Sequence, residues 1–326
     1  MDRIQRTVEN EDETKRWAET IVGYRFTTMA VRCQRANQAG WGVKTNAKKR
    51  PTRCQAAVHD ARHVLEPFLR RNAVKIIVGL RNYDVQVTHD VALAAWRGGA
   101  SMVDVACDED VVAAAREATK DQLPICASAV DPHAFDVAVK AGASMLEVGN
   151  YDGFYPDGIV FSAEDVLQIT RDTMKRHPNM PMSVTVPHTL PLDEQVALAL
   201  KLEQMGVDVI QTEGGVIAEP FAPGLIGLVQ KAAPSIAATH AIARALEKAH
   251  VMCASGLSSA TAPMAISAGA SGVGVGSAIN KLNDPVAMVA TVQAIVDAVH
   301  GEDLPSHLRE EARSSYAKLS AREERL

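Results

Sequence analysis

With 326 residues, of which 47% are hydrophobic and 22% charged, the chain is long enough for one large α/β barrel or for two ordinary domains. Its net charge of −5 argues against nucleic acid or an anionic membrane as a partner, because both depend on clustered lysine and arginine. No apolar run approaches the roughly 20 residues that span a bilayer, so we expect no transmembrane helix.

The first 70 residues are predicted to be a poorly ordered N-terminal extension. Residues 20–59 contain no Asp or Glu but eight basic side chains. A basic, acid-free stretch that contains threonine and lacks an apolar core is typical of an organelle transit peptide, not of a secretory signal. The acidic run at residues 9–13 does not fit such a peptide, and a basic leader without an address stays open. A short helix over residues 62–71 is expected to lead into the next domain.

Eight β-like segments follow, at residues 74–79, 102–106, 125–129, 145–149, 182–186, 209–212, 251–254 and 272–275. Alanine-rich helical patterns alternate with them, at residues 85–97, 109–120, 132–140, 163–176, 192–205, 236–248, 260–268 and 285–299. Strict alternation predicts a parallel sheet, and eight units favour an α/β fold of the (β/α)8 TIM barrel type over residues 71–300. A doubly wound sheet is the alternative. Residues 301–326 are charged throughout and predict a C-terminal helical tail.

Polar residues interrupt the apolar strands at positions that should face the inside of the barrel. Alternation points Asp104 of the second strand and Glu147 of the fourth strand inward, because their apolar neighbours face the helices. An unpartnered buried carboxylate is costly, so a functional role is considered for both. Lys75, low in the first strand, is expected to form a structural ion pair with one of them.

Two further residues lie at the C-terminal ends of strands, where catalytic groups of this fold gather. Glu213 follows the sixth strand, and His188 follows the fifth with an ordinary pKa that suits proton transfer. The predicted catalytic set is therefore Glu213, His188, Asp104 and Glu147. The aromatic-rich segment 150–158, with Asn150 and Asp152, is predicted to cover the mouth as a lid.

The ends of the seventh and eighth strands run through glycine and serine towards the next helix. Such junctions leave backbone N–H groups unpaired and suit an anion. In TIM barrels the loops after strands 7 and 8 frequently bind phosphate. The predicted phosphate-binding residues are Ser255, Gly256, Gly274, Gly276 and Ser277, with tight turns that hold no ligand as the alternative.

Several blocks of sequence are specific enough to carry a resemblance. They are VGLRNYD at 78–84, VDVACD at 103–108, LEVGNYDGFY at 146–155, SVTVPHTLPLDEQV at 183–196, IQTEGG at 210–215 and the glycine-rich segment at 253–284. Together they closely resemble the hypothetical chloroplast reading frame twenty-three family of cyanobacteria and algal plastids. The resemblance implies an aldolase-type barrel of a photosynthetic lineage and a location in the chloroplast stroma, with the cytoplasm as the alternative. It implies no reaction.

The first functional hypothesis is an enzyme of the lyase or isomerase type that acts on a phosphorylated small molecule. Glu213 or His188 would be the general base, while Asp104 and Glu147 would position a lysine, a substrate hydroxyl or a metal. An FMN-binding oxidoreductase and a non-catalytic phosphometabolite sensor or plastid scaffold are the alternatives. Mg²⁺ on Asp104, Glu147 and Glu213 is a further hypothesis. No oligomeric state is predicted.

Overall fold

The computed structural model describes residues 61–215 and 222–301. Eight parallel strands form a closed barrel in sequential order, with β8 beside β1. The strands are β1 (Ala73–Ile77), β2 (Met102–Ala106), β3 (Ile125–Ala129), β4 (Met145–Val148), β5 (Met182–Val186), β6 (Val209–Thr212), β7 (His250–Ala254) and β8 (Gly272–Val275). The predicted (β/α)8 barrel is thereby confirmed and the doubly wound sheet is wrong. The transit-like leader and the charged tail lie outside the described residues.

Helices alternate with the strands around the barrel. They are α1 (Ala61–Leu69), α2 (Val85–Arg97), α3 (Glu109–Thr119), α4 (Ala134–Ala141), α5 (Ala163–Arg176), α6 (Leu192–Met205), α7 (Gly224–Ala245), α8 (Ala262–Ala268), α9 (Ser277–Asn280) and α10 (Pro285–His300). Two single-turn 3₁₀ helices, Tyr151–Gly153 and Tyr155–Asp157, follow β4. Within the described residues, no helix is long and apolar enough to cross a membrane.

One helix departs clearly from its predicted bounds. The pattern placed the helix before β7 at residues 236–248, whereas α7 begins at Gly224 and contains Pro234. A proline normally marks a helix start or break because it lacks an N–H and crowds the preceding turn. Here the helix continues through it, so the prediction began 12 residues too late.

Aspartate side chains cap the N-termini of three of the helices that follow strands or loops at the C-terminal end of the barrel. The Asp84 side chain accepts hydrogen bonds from the backbone N–H groups of Gln86 and Val87 at 2.9 and 3.0 Å. Asp108 and Asp284 cap α3 and α10 in the same way. Each side chain satisfies N–H groups that a helix start leaves unpaired. Asp84 is therefore the N-cap residue of α2.

The two ends of the barrel are built differently. At the N-terminal end, Val64 and Phe68 of α1 pack against a buried cluster that includes Met102, Met145 and Met252. Valine and alanine fill the layer between strands and helices. Because α1 closes one end with apolar side chains, solvent and ligands can reach the lumen from the C-terminal ends of the strands.

Candidate active site

A cavity of about 590 Å³ opens at the C-terminal ends of β1, β6, β7 and β8. It is lined by all five predicted phosphate-binding residues, Ser255, Gly256, Gly274, Gly276 and Ser277, and by Asn150, Asp152 and Glu213. The predicted anion-binding loops thus face the same space as Glu213 of the predicted catalytic set and Asn150 and Asp152 of the predicted lid. The residues that line this cavity do not include Asp104, Glu147 or His188.

On the anion-binding side, the loop after β7 has an unusual backbone. Ser255 and Gly256 have φ values of 76° and 73°, in the left-handed region. A Cβ atom on Gly256 would lie 2.3 Å from the carbonyl oxygen of Lys231, so glycine is required where this loop passes α7. Lys231 and Lys281 also line the cavity and add positive charge, whereas Arg81, which lines it too, pairs its guanidinium with Asp157 of the loop after β4.

The loop after β8 is tied to the end of β1. Asn280 Nδ2 donates hydrogen bonds to the carbonyl oxygens of Ile77 and Val78 at 3.0 and 3.1 Å. These bonds hold α9 against the barrel, and α9 starts at Ser277. The position of the Gly276–Ser277 peptide in the cavity wall is therefore fixed by a contact that spans about 200 residues of sequence.

On the opposite side, Glu213 gathers hydrogen bonds from the two loops that flank it. Its Oε1 atom accepts from the Asp152 N–H at 3.0 Å. Its Oε2 atom accepts from Tyr155 Oη at 2.6 Å and from the His188 N–H at 3.2 Å, and lies 3.0 Å from His188 Nδ1. The hydrogen bond to Glu213 raises the pKa of His188, although burial opposes the shift. Glu213 and His188, predicted separately, thus form one hydrogen-bonded ion pair.

Asp152 connects this ion pair to the anion-binding side. Burial, together with repulsion from Glu213, raises the pKa of Asp152 to about 6, while His188 opposes the shift. The Asp152 carboxylate lies 3.9 Å from His188 Nδ1, and Ser255 Oγ donates to its other oxygen at 3.4 Å. A carboxyl group whose pKa is this close to neutral can both accept and release a proton at physiological pH.

The other two predicted catalytic carboxylates lie one layer deeper. Glu147 forms a fully buried ion pair with Lys75. It is one of the two carboxylates, Asp104 and Glu147, that were expected as partners of Lys75. Burial by itself would lower the pKa of Lys75, but attraction to Glu147, Cys126 and Asp104 together with the hydrogen bond to Glu147 outweighs it and raises the pKa, which keeps the amine protonated. Burial and repulsion from Glu147 raise the pKa of Asp104 to about 7, and Lys75 and Ser128 oppose that shift.

Amide side chains separate this lower layer from the cavity. Asn150 Nδ2 donates to Asp104 Oδ2 at 3.2 Å and to Ser128 Oγ at 3.1 Å. Gln211 Nε2 donates to Glu147 Oε1 at 2.8 Å and lies 3.0 Å from Asn150 Oδ1. Asn150 and Gln211 also line the cavity. The buried carboxylates are therefore in contact with the residues that line the cavity floor.

The structure gives a different potential metal-ligand set from the hypothesis of Mg²⁺ on Asp104, Glu147 and Glu213. Among the described residues, the group whose ligand atoms lie close enough is Asp152, His188 and Glu213, within 4.8 Å of one another. Glu147 is instead engaged by Lys75. Metal binding at the observed group would require His188 to lose the proton that its raised pKa favours.

Several site residues were not predicted from the sequence, among them Lys231, Tyr155 and Arg81. Lys231 belongs to the early turns of α7, which were excluded when the helix was predicted to begin after Pro234. Tyr155 stands in the predicted lid segment, where its phenol was counted only as an aromatic ring. Arg81 follows β1 and carries no pattern that distinguishes it from a surface arginine.

Comparisons of sequence give one family. The family described as "Protein of unknown function (DUF561)" matches residues 60–304. "Uncharacterized protein ycf23" of Porphyra purpurea is 36% identical over 236 residues, which cover 72% of this chain and 88% of that protein. The protein of the same name from Cyanophora paradoxa is 36% identical over 233 residues, covering 71% and 94% respectively. The resemblance to the hypothetical chloroplast reading frame twenty-three family is thereby confirmed.

Solved structures give the fold. The 3-hexulose-6-phosphate synthase from Salmonella typhimurium superimposes with a TM-score of 0.51 at 17% identity, over 71% of this chain and 100% of that chain. The (S)-3-O-geranylgeranylglyceryl phosphate synthase from Thermoplasma acidophilum, in complex with sn-glycerol-1-phosphate, gives 0.50 at 14% identity, over 72% and 96%. At these identities the likeness establishes the TIM-barrel architecture alone.

Proposed function

This chain belongs to the DUF561 family, and from that premise we propose that it is an enzyme of the lyase or isomerase type acting on a phosphorylated small molecule. One observation carries the proposal: the two predicted phosphate loops and the Asp152–Glu213 pair line the same cavity. A ligand whose phosphate lies on one wall would present its carbon chain to acid–base groups on the other. Two of the solved TIM barrels that superimpose on this chain are synthases whose names include a phosphorylated compound, and this agrees with the proposal.

The phosphate would be bound by Ser255, Gly256, Gly276 and Ser277, with Lys231 supplying charge. Glycine at position 256 lets the backbone come close to the bound oxygen atoms. Lys231 and Lys281 line the wall beside these loops and favour an anion over a neutral group. Because Lys231 is on a helix and not on a strand, its role in the proposal is electrostatic and not that of a Schiff-base amine.

Proton transfer would be carried out by Asp152 and Glu213, two neighbouring carboxyl groups that line the cavity. His188, whose pKa the hydrogen bond to Glu213 raises, would stabilise negative charge on these carboxyl groups when it is protonated and so favour a base that can remove a proton from the ligand. Asp104 and Glu147 would act through Asn150 and Gln211 as positioning residues, because they do not line the cavity.

Metabolite-dependent thermal shift tests the ligand class. A library of sugar and cofactor phosphates, FMN included, would be screened beside the phosphate-free form of each compound. A ligand that binds only the native state raises Tm. At a ligand concentration of 100 times Kd, it adds about 2.7 kcal/mol to the free energy of unfolding. We expect at least one phosphate to raise Tm and its phosphate-free form to have no effect. A library without any stabilising phosphate contradicts the proposal, and yellow protein stabilised by FMN replaces it with the oxidoreductase alternative.

Hydrogen exchange in the bound compound separates an enzyme from a sensor. In D₂O, the wild-type protein should exchange a carbon-bound hydrogen of the stabilising ligand, as followed by NMR. Asp152→Asn and Glu213→Gln should bind the compound and exchange it at least about 100-fold more slowly, as is usual when a general base is removed. Tight binding with no chemical change of the ligand in the wild type would favour the sensor.

The proposal includes a plastid location, the chloroplast stroma, with the cytoplasm as the alternative. It is supported by family membership with the ycf23 proteins of algae and by the basic, acid-free composition of residues 20–59. A fluorescent protein fused after residue 70 should enter plastids, and a fusion that lacks residues 1–70 should stay in the cytosol. Equal distributions of the two fusions would contradict the location.

A further inference from the structure

Gln211 has one polar atom that the hydrogen-bond network of the barrel does not use. The residue lies on β6 with 1% of its surface exposed and lines the cavity. Its Nε2 atom lies within 3.0 Å of acceptors on Glu147, Asn150 and Thr185. Its Oε1 atom, also buried, has no hydrogen-bond partner among the described residues. A buried acceptor without a partner among the described residues, on a side chain that lines a cavity, is available to a donor from a bound molecule.

The orientation of this amide is set by its neighbours. Glu147, paired with Lys75, only accepts hydrogen bonds, so the Gln211 NH₂ group must face it. Asn150 directs its own NH₂ group to Asp104 and therefore presents its carbonyl oxygen to Gln211. Both contacts would be lost if the Gln211 amide were flipped. The acceptor Oε1 is thus held in place by two buried carboxylates.

Gly274 places no side chain beside this oxygen, at a point where even a methyl group would be in close contact with its neighbours. A Cβ atom at position 274 would lie 3.4 Å from Gln211 Oε1 and 3.0 Å from the side chains of Ile77 and Ala254. Gly274 stands two residues before Gly276 on β8, which puts it about 6–7 Å below the phosphate loop at the usual rise of a strand. A phosphorylated compound of about five carbons would reach from the loop to Gln211.

We propose that Gln211 Oε1 accepts a hydrogen bond from a hydroxyl group of the ligand, and that the ligand is a phosphate monoester that carries a hydroxyl group on its carbon chain. An acceptor at this point selects a donor and disfavours a carboxylate or a carbonyl oxygen. A hydroxyl fits better than an ammonium, because Arg81, Lys231 and Lys281 already line the cavity. The inference rests on the proposed phosphate site and adds the substrate class to it.

Calorimetric titration of three probes tests the inference separately from the phosphate site. The probes are inorganic phosphate, D-ribose 5-phosphate and pentyl phosphate, which has the same carbon number as the sugar and no hydroxyl group. In the wild type we expect pentyl phosphate to bind at least about tenfold more weakly than ribose 5-phosphate, because it leaves the acceptor unpaired. The ratio of these two Kd values is the measured quantity.

Three variants decide whether Gln211 produces that ratio. Gln211→Met keeps the length of the side chain without the acceptor, and Gly274→Ala puts a methyl group 3.4 Å from Oε1, where it crowds the approach of a ligand hydroxyl while the Gln211 side chain itself is unchanged. Ser183→Ala is the control, since the Ser183 hydroxyl is also buried and unpartnered among the described residues but does not line the cavity. We expect the ratio to fall to about one in the first two variants and to be unchanged in the control.

The outcomes separate the two proposals. Inorganic phosphate is expected to bind all four proteins, which supports the phosphate site. If the ratio of the two Kd values is nevertheless near one in the wild type, the inference is overturned. It is also overturned if the ratio is as large in both Gln211→Met and Gly274→Ala as in the wild type. If inorganic phosphate does not bind the wild type, the proposed function fails and the inference fails with it. Intact phosphate binding in a variant also shows that its barrel is folded.

Discussion

The carboxylate of Glu213 has four hydrogen-bond contacts, and two of them come from residues that sequence patterns did not connect to it. Tyr155 and Asp152 lie 58 and 61 residues before it, in the loop after β4. The strand pattern predicts that Glu213 reaches the mouth of the barrel, because it follows β6 directly. Which loop folds over it depends on the two 3₁₀ turns of residues 151–157, and no local propensity specifies that contact.

Glu213→Gln should lower the pKa of His188 towards its ordinary value. The raised pKa depends first on the hydrogen bond to Glu213 and is opposed by burial. NMR titration of the imidazole resonances would measure the shift. His250, at the far end of the barrel on β7, should keep its burial-lowered pKa in the same spectra. An unchanged His188 titration in the variant would contradict the ion pair.

The same pair predicts a pH dependence of stability. The pKa of His188 is higher in the folded protein than its unfolded value of about 6.5. The stabilisation by His188 is therefore fully present below about pH 6.5 and is lost as the pH rises through the folded pKa. Urea unfolding should show that the advantage of wild type over His188→Gln is larger at pH 6 than at pH 9. An advantage that grows with pH would contradict it.

Lys75 and Glu147 predict a large loss of stability when the pair is broken. Lys75→Met leaves an uncompensated buried carboxylate and should lower the free energy of unfolding by about 3–5 kcal/mol. The double variant Lys75→Met/Glu147→Gln also removes the buried negative charge, so it should recover part of the lost free energy of unfolding. Arg70→Met breaks the exposed pair with Glu66 and should cost at most about 1 kcal/mol. Equal losses in the two single variants would mean that burial does not matter here.

At the scale of elements, the strands were predictable because each is a short apolar run between turn residues. The residues of β2, β3, β5, β6 and β8 agree with the prediction at both ends. β1 and β4 end before Gly79 and Gly149, whose φ values of 117° and 147° leave the extended strand geometry. The start of α7 was not predictable by the same rules, since Pro234 is a stop signal in isolation and the surrounding packing overrides it.

The loop after β7 predicts a matched pair of glycine substitutions. Gly256→Ala and Gly158→Ala both place alanine at a positive φ, 73° and 74°. Only at Gly256 does the new Cβ meet backbone, at 2.3 Å from the Lys231 carbonyl oxygen, while Gly158 has nothing within 4 Å. Each should lose about 1–2 kcal/mol to backbone strain, and Gly256→Ala should lose more and bind phosphate more weakly. Equal unfolding free energies would exclude the contact with α7.

At the scale of the whole molecule, closure of the barrel brings distant segments together. Lys75 of β1 pairs with Gly274 of β8, so the first and last strands form one wall of the cavity. Eight alternating units predict this closure, and strand parity predicts which side chains point inward. Parity does not distinguish the layers, and for that reason Asp104 and Glu147 were grouped with Glu213 although they lie below the cavity floor.

The central claim is that a phosphate group binds at the loops after β7 and β8. Titration of inorganic phosphate into Ser277→Asp, Ser259→Asp and the wild type tests it most directly. Ser277 lines the cavity, and a carboxylate there should repel the anion and weaken binding at least about tenfold. Ser259 follows β7 but does not line the cavity, so its variant should bind like the wild type. Equal affinity of Ser277→Asp and the wild type, or no binding to any of the three, would contradict the claim.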